Sequence, residues 1–176
     1  MKKELSFFLY AVFFFILLIF FYLLITERDP NKIPSNLLNK QIPVFKTDSL
    51  LSDKPFISSN EITNKITLVN FFATWCIPCR EEHKYIKLLS KIKNLNVIGI
   101  NYKDNSDKAV DWLKKLGNPY SNIAVDKKGR IAIDWGVYGI PETFVINSDG
   151  IIEYRHVGPI TKKIYEKINL IISTLK

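Results

Sequence analysis

Residues 67–79 read TLVNFFATWCIPC, an apolar run that leads directly into two cysteines. The first seven residues are mostly β-branched or aromatic, and a run of this length and composition is typical of a buried strand. Apolar residues with separations of three and four positions then follow, at Tyr85, Ile86, Leu89 and Ile92. This spacing predicts a helix with one apolar face from Cys76 to about Lys93. The apolar run at residues 96–102 predicts a second strand, so the segment is a strand–helix–strand unit with parallel strands.

The second half of the chain carries signals for two more helices and a hairpin. The helical period returns over residues 106–116, and Gly117 is placed to end that helix. Apolar runs at residues 142–147 and 151–157 flank an Asp-Gly step, which predicts an antiparallel hairpin. Residues 161–175 carry apolar side chains on one face and predict a C-terminal helix. The expected fold class is α/β, a central mixed sheet flanked by helices.

A long apolar run near the N-terminus predicts a membrane anchor. Residues 5–25 contain Ser6 as their only clearly polar side chain, and a helix of this length spans the roughly 30 Å of a bilayer's hydrocarbon core. Lys2 and Lys3 precede the run, which predicts a cytoplasmic N-terminus and an exported domain. A cleaved signal peptide is the alternative, but its apolar core is about 7 to 15 residues long, and no small-residue cleavage site follows here.

The run divides the chain into three predicted parts. Residues 1–26 are the anchor, and residues 27–39, with Pro30 and Pro34, form a polar linker. Residues 40–176 form the domain outside the membrane. The formal charge of +8 comes from lysines scattered without a basic block, so it indicates a solvated surface and no nucleic-acid partner.

The chain has only two cysteines, and their place in the predicted strand and helix indicates redox chemistry. Cys76 lies at the predicted helix N-terminus, where free N–H groups and the helix dipole favour thiolate, so we expect it to be the nucleophile. Cys79, about one turn further, suits attack on the resulting mixed disulfide. Pro78 fits the first turn, where an N–H is not needed. We expect no cofactor beyond a redox-active Cys76–Cys79 disulfide.

Other uses of two cysteines fit the sequence less well. A structural disulfide would close a loop of two residues and remove little chain entropy. A zinc site needs about four ligands, and the chain offers only the two cysteines with His83 and His156. Inert buried cysteines would not ordinarily open a helix after an aromatic residue, and the pattern around a peroxidatic cysteine is absent.

The same segment resembles a known family. LVNFFATWCIPC resembles the active-site strand and motif of thioredoxin-like proteins, and the closer resemblance is to the membrane-anchored thiol:disulfide interchange proteins of cytochrome c maturation, the DsbE/CcmG type. Three blocks carry it: CREEH, NYKD with WLKKLGNPY, and GVYGIPETFVINSDGIIEYRHVG. With the anchor they cover nearly the whole chain. The resemblance implies a thioredoxin-like fold with an insertion between its two halves.

The resemblance also implies site residues around the cysteines. It makes Ile140-Pro141 a cis-proline loop that faces the cysteines. The buried carboxylate that thioredoxins carry on the strand before the motif corresponds to Asn70, which cannot exchange a proton. The resemblance nominates Glu82 and Glu142 in its place, and a buried carboxylate near a thiol would act as a base for Cys79.

The remaining residues that we single out lie beside these two segments. We expect substrate contacts from Trp75, Pro78, Tyr138 and Ile140. We expect His83 and His156 to be packing residues rather than catalysts.

The resemblance implies a reductant of apocytochrome c disulfides, or of a haem-ligation partner, that a membrane thiol-electron donor reduces again. Its domain would lie on the periplasmic side of a bacterial inner membrane, held by the single N-terminal span. Ile77 and Pro78 place no histidine between the cysteines, which favours a reductant over an oxidase. The alternatives are a broader periplasmic thiol reductant, a Cu(I) metallochaperone that uses both cysteines with His156, and a binding module without redox activity.

Overall fold

The computed structural model describes residues 2–25, 37–51 and 55–175, which divide into two compact units. The first unit contains helix α1 (Lys2–Ile25), and the second contains every other described element. The window Ser6–Leu23 has a mean hydropathy of 2.6 and none of it is buried, so α1 is long and apolar enough to cross a membrane. The predicted linker, residues 27–39, lies mostly outside the described residues.

A five-stranded mixed sheet forms the centre of the second unit. Its five strands are β3 (Thr67–Phe72), β4 (Asn96–Tyr102), β5 (Asn122–Asp126), β6 (Glu142–Ile146) and β7 (Ile152–Val157). Strands β1 (Lys46–Asp48) and β2 (Phe56–Ser58) pair with each other in a separate sheet. The large sheet has the order β5-β4-β3-β6-β7. The β3–β4 and β4–β5 pairs are parallel, whereas β6 is antiparallel to both β3 and β7.

Helices cover both faces of this sheet. They are α2 (Ile77–Leu89), α3 (Ser106–Leu116), α4 (Arg130–Asp134) and α5 (Lys162–Thr174). One apolar cluster packs α2, α3 and α5 against the sheet and includes Phe72 and both cysteines. A second cluster, which includes Phe71, Trp135 and Phe144, lies on the opposite face with α4. This arrangement is the thioredoxin-like fold that the resemblance implies, with α3, β5 and α4 between the two halves.

Most of the predicted elements are confirmed. The strand–helix–strand unit and the hairpin form, and Gly150 in the hairpin turn adopts a left-handed φ of 82°. The prediction that α2 reaches Lys93 is wrong, because the helix ends at Leu89. Separate turns follow it, and Asn94 then takes a left-handed φ of 69° that a continuing helix does not allow.

No clear sequence signal marks β5, α4 or the β1–β2 hairpin. The β5 strand is a five-residue buried run, too short for periodicity to separate a strand from a helix. Helix α4 is also five residues long, and β1 and β2 have three residues each. Pairing with neighbouring elements, rather than local pattern, defines these short segments.

Candidate active site

The two cysteines form a disulfide at the N-terminus of α2. Cys76 is the residue that caps the helix, and Cys79 lies in its first turn, with 5.3 Å between their Cα atoms. The Cys76 Sγ accepts a hydrogen bond from the backbone N–H of Cys79 at 3.1 Å. In the reduced protein, the same N–H group and the helix dipole favour the Cys76 thiolate. Both cysteine residues are nearly covered in the disulfide form, with Cys76 5% and Cys79 2% exposed.

The turn before Cys76 is held by the loop that follows β4. Asp104 accepts hydrogen bonds from the Thr74 backbone N–H at 2.6 Å and from the Thr74 hydroxyl at 2.8 Å. The Trp75 indole N–H donates to the Lys103 carbonyl at 3.2 Å. No sequence pattern pointed to this support, although the NYKD block at the end of β4 contains both Lys103 and Asp104.

Apolar side chains form an exposed rim beside the disulfide. Trp75 is 57% exposed, and Ile77 and Pro78 in the first turn of α2 are also exposed. These side chains offer an apolar surface on which an extended polypeptide can lie. The predicted substrate contacts Trp75 and Pro78 therefore have the exposure that such a contact requires.

The Ile140–Pro141 peptide bond is cis, as expected. Residue Phe71 of β3 pairs with Glu142, so the proline lies next to the end of β3 that leads to the cysteines. Ile140 packs against the apolar cluster that contains both cysteines, and Tyr138 is exposed. The proline loop and the disulfide thus share one end of the sheet.

Glu82 lies one turn after Cys79 on α2 and is almost completely buried. Its Oε1 accepts a hydrogen bond from Asn70 Nδ2, and its Oε2 accepts one from the backbone N–H of Ile160, both at 2.8 Å. Burial raises the pKa of Glu82 from 4.5 to about 7, although the two hydrogen bonds oppose the rise. A carboxyl group with this pKa can both take and release a proton near neutral pH.

Glu142 is buried as well, but the structure does not bring its carboxylate to the cysteines. It lies opposite Phe71, whose ring packs against Phe144 in the cluster on the other face of the sheet. Arg155 donates to Glu142 Oε2 at 2.8 Å, and the Tyr138 N–H donates to Oε1 at 2.9 Å. Burial raises the pKa of Glu142, and the Arg155 cation opposes the rise. This placement does not support the expectation that Glu142 acts as a base for Cys79, whereas Glu82 lies on the same helix as Cys79.

The two histidines contact neighbouring backbone atoms. His83 lies 2.8 Å from the Gly117 carbonyl through Nε2, and its ring packs edge-on against Trp112. His156 lies 3.2 Å from the Pro159 carbonyl. Burial lowers the pKa of each imidazole. Within residues 2–25, 37–51 and 55–175, no group of three or more His, Cys, Asp and Glu side chains is placed to hold a metal ion.

Comparison with known proteins places these features in a family. The redoxin family model matches residues 37–169. The chain is 47% identical over 130 residues to the thiol:disulfide interchange protein CycY of Rhizobium leguminosarum bv. viciae, which covers 74% of this chain and 70% of that protein. It is 44% identical over 140 residues to the thiol:disulfide interchange protein DsbE of Escherichia coli K12, which covers 79% of this chain and 75% of that one.

Solved structures share the fold at lower identity. A DsbF homologue from Corynebacterium diphtheriae superposes with a TM-score of 0.68 at 20% identity, over 84% of this chain and 97% of that one. A thioredoxin-family thiol:disulfide interchange protein from Chlorobium tepidum gives 0.62 at 24%, over 81% and 99%. The fold, the disulfide at the start of α2 and the sequence identity agree, and the chain belongs to the redoxin family as a thiol:disulfide oxidoreductase of the DsbE and CycY type.

Proposed function

We propose that this oxidoreductase reduces the disulfide of apocytochrome c, or of a thiol protein that takes part in haem ligation, so that free thiols are available to haem. The observation that carries the proposal is the disulfide at the N-terminus of α2 with the buried Glu82 carboxyl group one turn behind it. The similarity to DsbE and CycY and the resemblance to the cytochrome c maturation type support the choice of substrate.

The first half of the reaction transfers one substrate sulfur to the protein. In the reduced protein, the Cys76 thiolate at the helix N-terminus attacks the substrate disulfide. A bond forms between Cys76 Sγ and one substrate sulfur, and the substrate S–S bond breaks. The other substrate sulfur leaves as a thiolate and takes a proton from solvent.

The second half releases the substrate. Cys79 gives its thiol proton to the ionised Glu82 and attacks Cys76 Sγ, so the Cys76–Cys79 disulfide forms and the mixed disulfide breaks. The second substrate sulfur leaves and is protonated. The cysteine pair has then supplied two electrons and two protons, and the substrate disulfide has become two thiols.

The protein must be reduced again after each turnover. A thiol-electron donor in the membrane would attack the Cys76–Cys79 disulfide by the same exchange chemistry, so the cycle needs no cofactor. The absence of histidine at positions 77 and 78 favours a reducing pair, because no cation between the cysteines stabilises the thiolates.

The location proposed for this chemistry follows from α1. Its apolar side chains from Ser6 to Leu23 suit one span of a bacterial inner membrane, and Lys2 and Lys3 favour a cytoplasmic N-terminus. The redox domain would then lie in the periplasm. Protease added to intact spheroplasts should remove the domain, whereas protection until the membrane is opened would reverse this orientation.

Trapping of the mixed disulfide tests the substrate. In cells that make the full chain with Cys79→Ser, the partner should stay bound to Cys76, and it should be either a protein with a haem-binding Cys-x-x-Cys-His sequence or a thiol protein that takes part in haem ligation. The Cys76→Ser chain is the matched control and should retain no partner. Captured proteins with neither that sequence nor a role in haem ligation would instead support a broader thiol reductant, and the absence of any capture would overturn the proposal.

A further inference from the structure

A chain of buried polar side chains leads from Glu82 to Tyr120, a residue outside the site described so far. Glu82 Oε1 accepts from Asn70 Nδ2 at 2.8 Å, and Asn70 Oδ1 accepts from the Tyr120 hydroxyl at 2.8 Å. Asn70 Nδ2 also donates to Thr143 Oγ1 at 3.1 Å. All four side chains are buried, so hydrogen bonds within this network, rather than solvent, satisfy their polar atoms.

Gly99 provides the space that lets Tyr120 reach Asn70. Gly99 lies on β4 and pairs with Asn70 on β3. A Cβ atom at Gly99 would lie 3.1 Å from Tyr120 Cγ and 2.9 Å from Phe72 Cε1, so the tyrosine ring passes directly over the glycine. The ring also stacks on Phe72, with 4.9 Å between ring centroids and an angle of 17°. The position of the hydroxyl group is therefore fixed by the backbone and by a neighbouring ring.

The partners of Asn70 determine which way its amide faces. An ionised Glu82 can only accept hydrogen bonds, so the amide must present its NH₂ group to that carboxylate. The amide oxygen then faces Tyr120, whose hydroxyl donates to it. If the amide turned over, its oxygen would face the carboxylate and the tyrosine hydroxyl would lose its acceptor in the network. Donation by Tyr120 thus favours the orientation that stabilises the ionised carboxylate.

We infer that Tyr120 is a positioning residue for the second half of the reaction: its hydrogen bond to Asn70 holds the amide so that Asn70 donates to the Glu82 carboxylate. The inference rests on the proposed role of Glu82 as the base for Cys79. Tyr120 itself acts only through Asn70. It adjusts how readily Glu82 is ionised and therefore the pH range over which Cys79 can be activated.

The groups around Glu82 leave the Tyr120 hydroxyl protonated, so it stays a neutral hydrogen-bond donor over the pH range in which Cys79 is activated. From β3 and β6 the network contains the uncharged Asn70 and Thr143, and the segment before α5 contributes the Ile160 N–H. On α2 the titratable neighbours are the cysteine pair and His83, and burial lowers the pKa of His83. Burial and the Glu82 charge raise the pKa of Tyr120 well above its usual value.

The test follows both thiol steps in one reaction. The full chain, reduced and in detergent, is mixed with 5,5′-dithiobis(2-nitrobenzoic acid), which releases one coloured thiolate when Cys76 attacks and a second when Cys79 resolves the mixed disulfide. The rate of the second release is measured from about pH 5 to about pH 9 in the parent, Tyr120→Phe and, as a matched control on α2, Tyr85→Phe. The probe makes the result independent of the physiological substrate.

Tyr120→Phe should move the midpoint of the second step upward by about 0.5 to 1 pH unit, because one lost hydrogen bond makes ionisation of Glu82 less favourable. The rate at high pH and the first step should stay within about twofold of the parent. Tyr85→Phe should leave the midpoint unchanged. In an Asn70→Ala background, Tyr120→Phe should cause no further shift, since the tyrosine acts through the amide.

Four results would contradict the inference in different ways. An unshifted midpoint in Tyr120→Phe overturns it, and so does a shift that persists in the Asn70→Ala background. A lower rate at every pH without a shift would show a structural role only. If Glu82→Gln has the pH profile of the parent, Glu82 is not the base, and that result removes the proposed mechanism of resolution together with this inference.

Discussion

Glu142 and Arg155 form a buried ion pair in which 2.7 Å separates Glu142 Oε2 from Arg155 Nη2. Both side chains are at most 4% exposed, and they lie on the adjacent strands β6 and β7. Arg155 also donates to the Gly136 carbonyl at 2.7 Å, and Glu142 accepts from the Tyr138 N–H. The pair therefore holds the segment that leads to the cis proline at two points, the Gly136 carbonyl and the Tyr138 N–H. We conclude that Glu142 supports the proline loop.

Removal of the cation should strongly destabilise the domain. Arg155→Leu leaves the Glu142 charge buried without its partner, and broken buried pairs of this kind typically cost about 3 to 5 kcal/mol. The control is Lys114→Ala, which breaks the exposed Lys114–Asp111 pair and should cost less than about 0.5 kcal/mol. Urea unfolding gives both values. Equal effects of the two substitutions would mean that the buried pair does not stabilise the loop.

Asp104 should control the turn that carries the redox site. Asp104→Ala removes the acceptor for the Thr74 N–H and hydroxyl, and it leaves a partly buried N–H without a partner. We expect a loss of about 2 kcal/mol in unfolding free energy and slower attack by Cys76, because Trp75 and the turn lose their fixed position. Asp107→Ala, at an exposed site in α3, is the control. Unchanged attack with lower stability would show that the turn keeps its geometry without Asp104.

The sequence predicted the parts of the site that adjacent residues define. Cys76 and Cys79 lie at the start of one helix, and the strand before them shows its apolar character locally. Hydrophobic periodicity could therefore place the cysteines at a helix N-terminus. The resemblance supplied Glu82 as a site residue, and it also supplied the cis proline, whose conformation no local pattern reports.

The partners of these residues could not be predicted in the same way. Asp104 contacts Thr74 across 30 residues, and Tyr120 contacts Asn70 across 50. Such contacts depend on strand order and register, which the order of elements along the chain does not specify. The side of the sheet that Glu142 faces is also a matter of register, since a shift of one residue would turn its carboxylate to the other face.

Cys76 should react before Cys79 in the reduced protein. Its sulfur lies at the helix N-terminus and accepts the Cys79 N–H, which favours the thiolate, whereas Cys79 is the more covered residue. Brief alkylation of the reduced full chain, followed by mass spectrometry of peptides, should find the label on Cys76 first. The Cys76→Ser chain should be labelled more slowly than Cys79→Ser. A preference for Cys79 would reverse the assigned roles.

Glu82 should make the stability of the oxidised protein fall as the pH rises. The folded state keeps the Glu82 proton up to a pKa of about 7, whereas the unfolded value is near 4.5, so the folded state binds more protons between these values. The stability that the protonated Glu82 contributes is fully present below the unfolded pKa and is lost as the pH rises through the folded pKa. The total loss is roughly 3 kcal/mol of unfolding free energy.

Urea unfolding at about pH 5 and about pH 8 should therefore show a larger fall in unfolding free energy for the parent than for Glu82→Gln, because the amide is neutral at both pH values. Other titrating groups are common to the two proteins and cancel in the comparison. Glu81→Gln, which removes a charge at the exposed neighbouring position, should behave like the parent. If Glu82→Gln and the parent lose the same free energy, Glu82 is ionised throughout this range and cannot take up a proton from Cys79 at the proposed step.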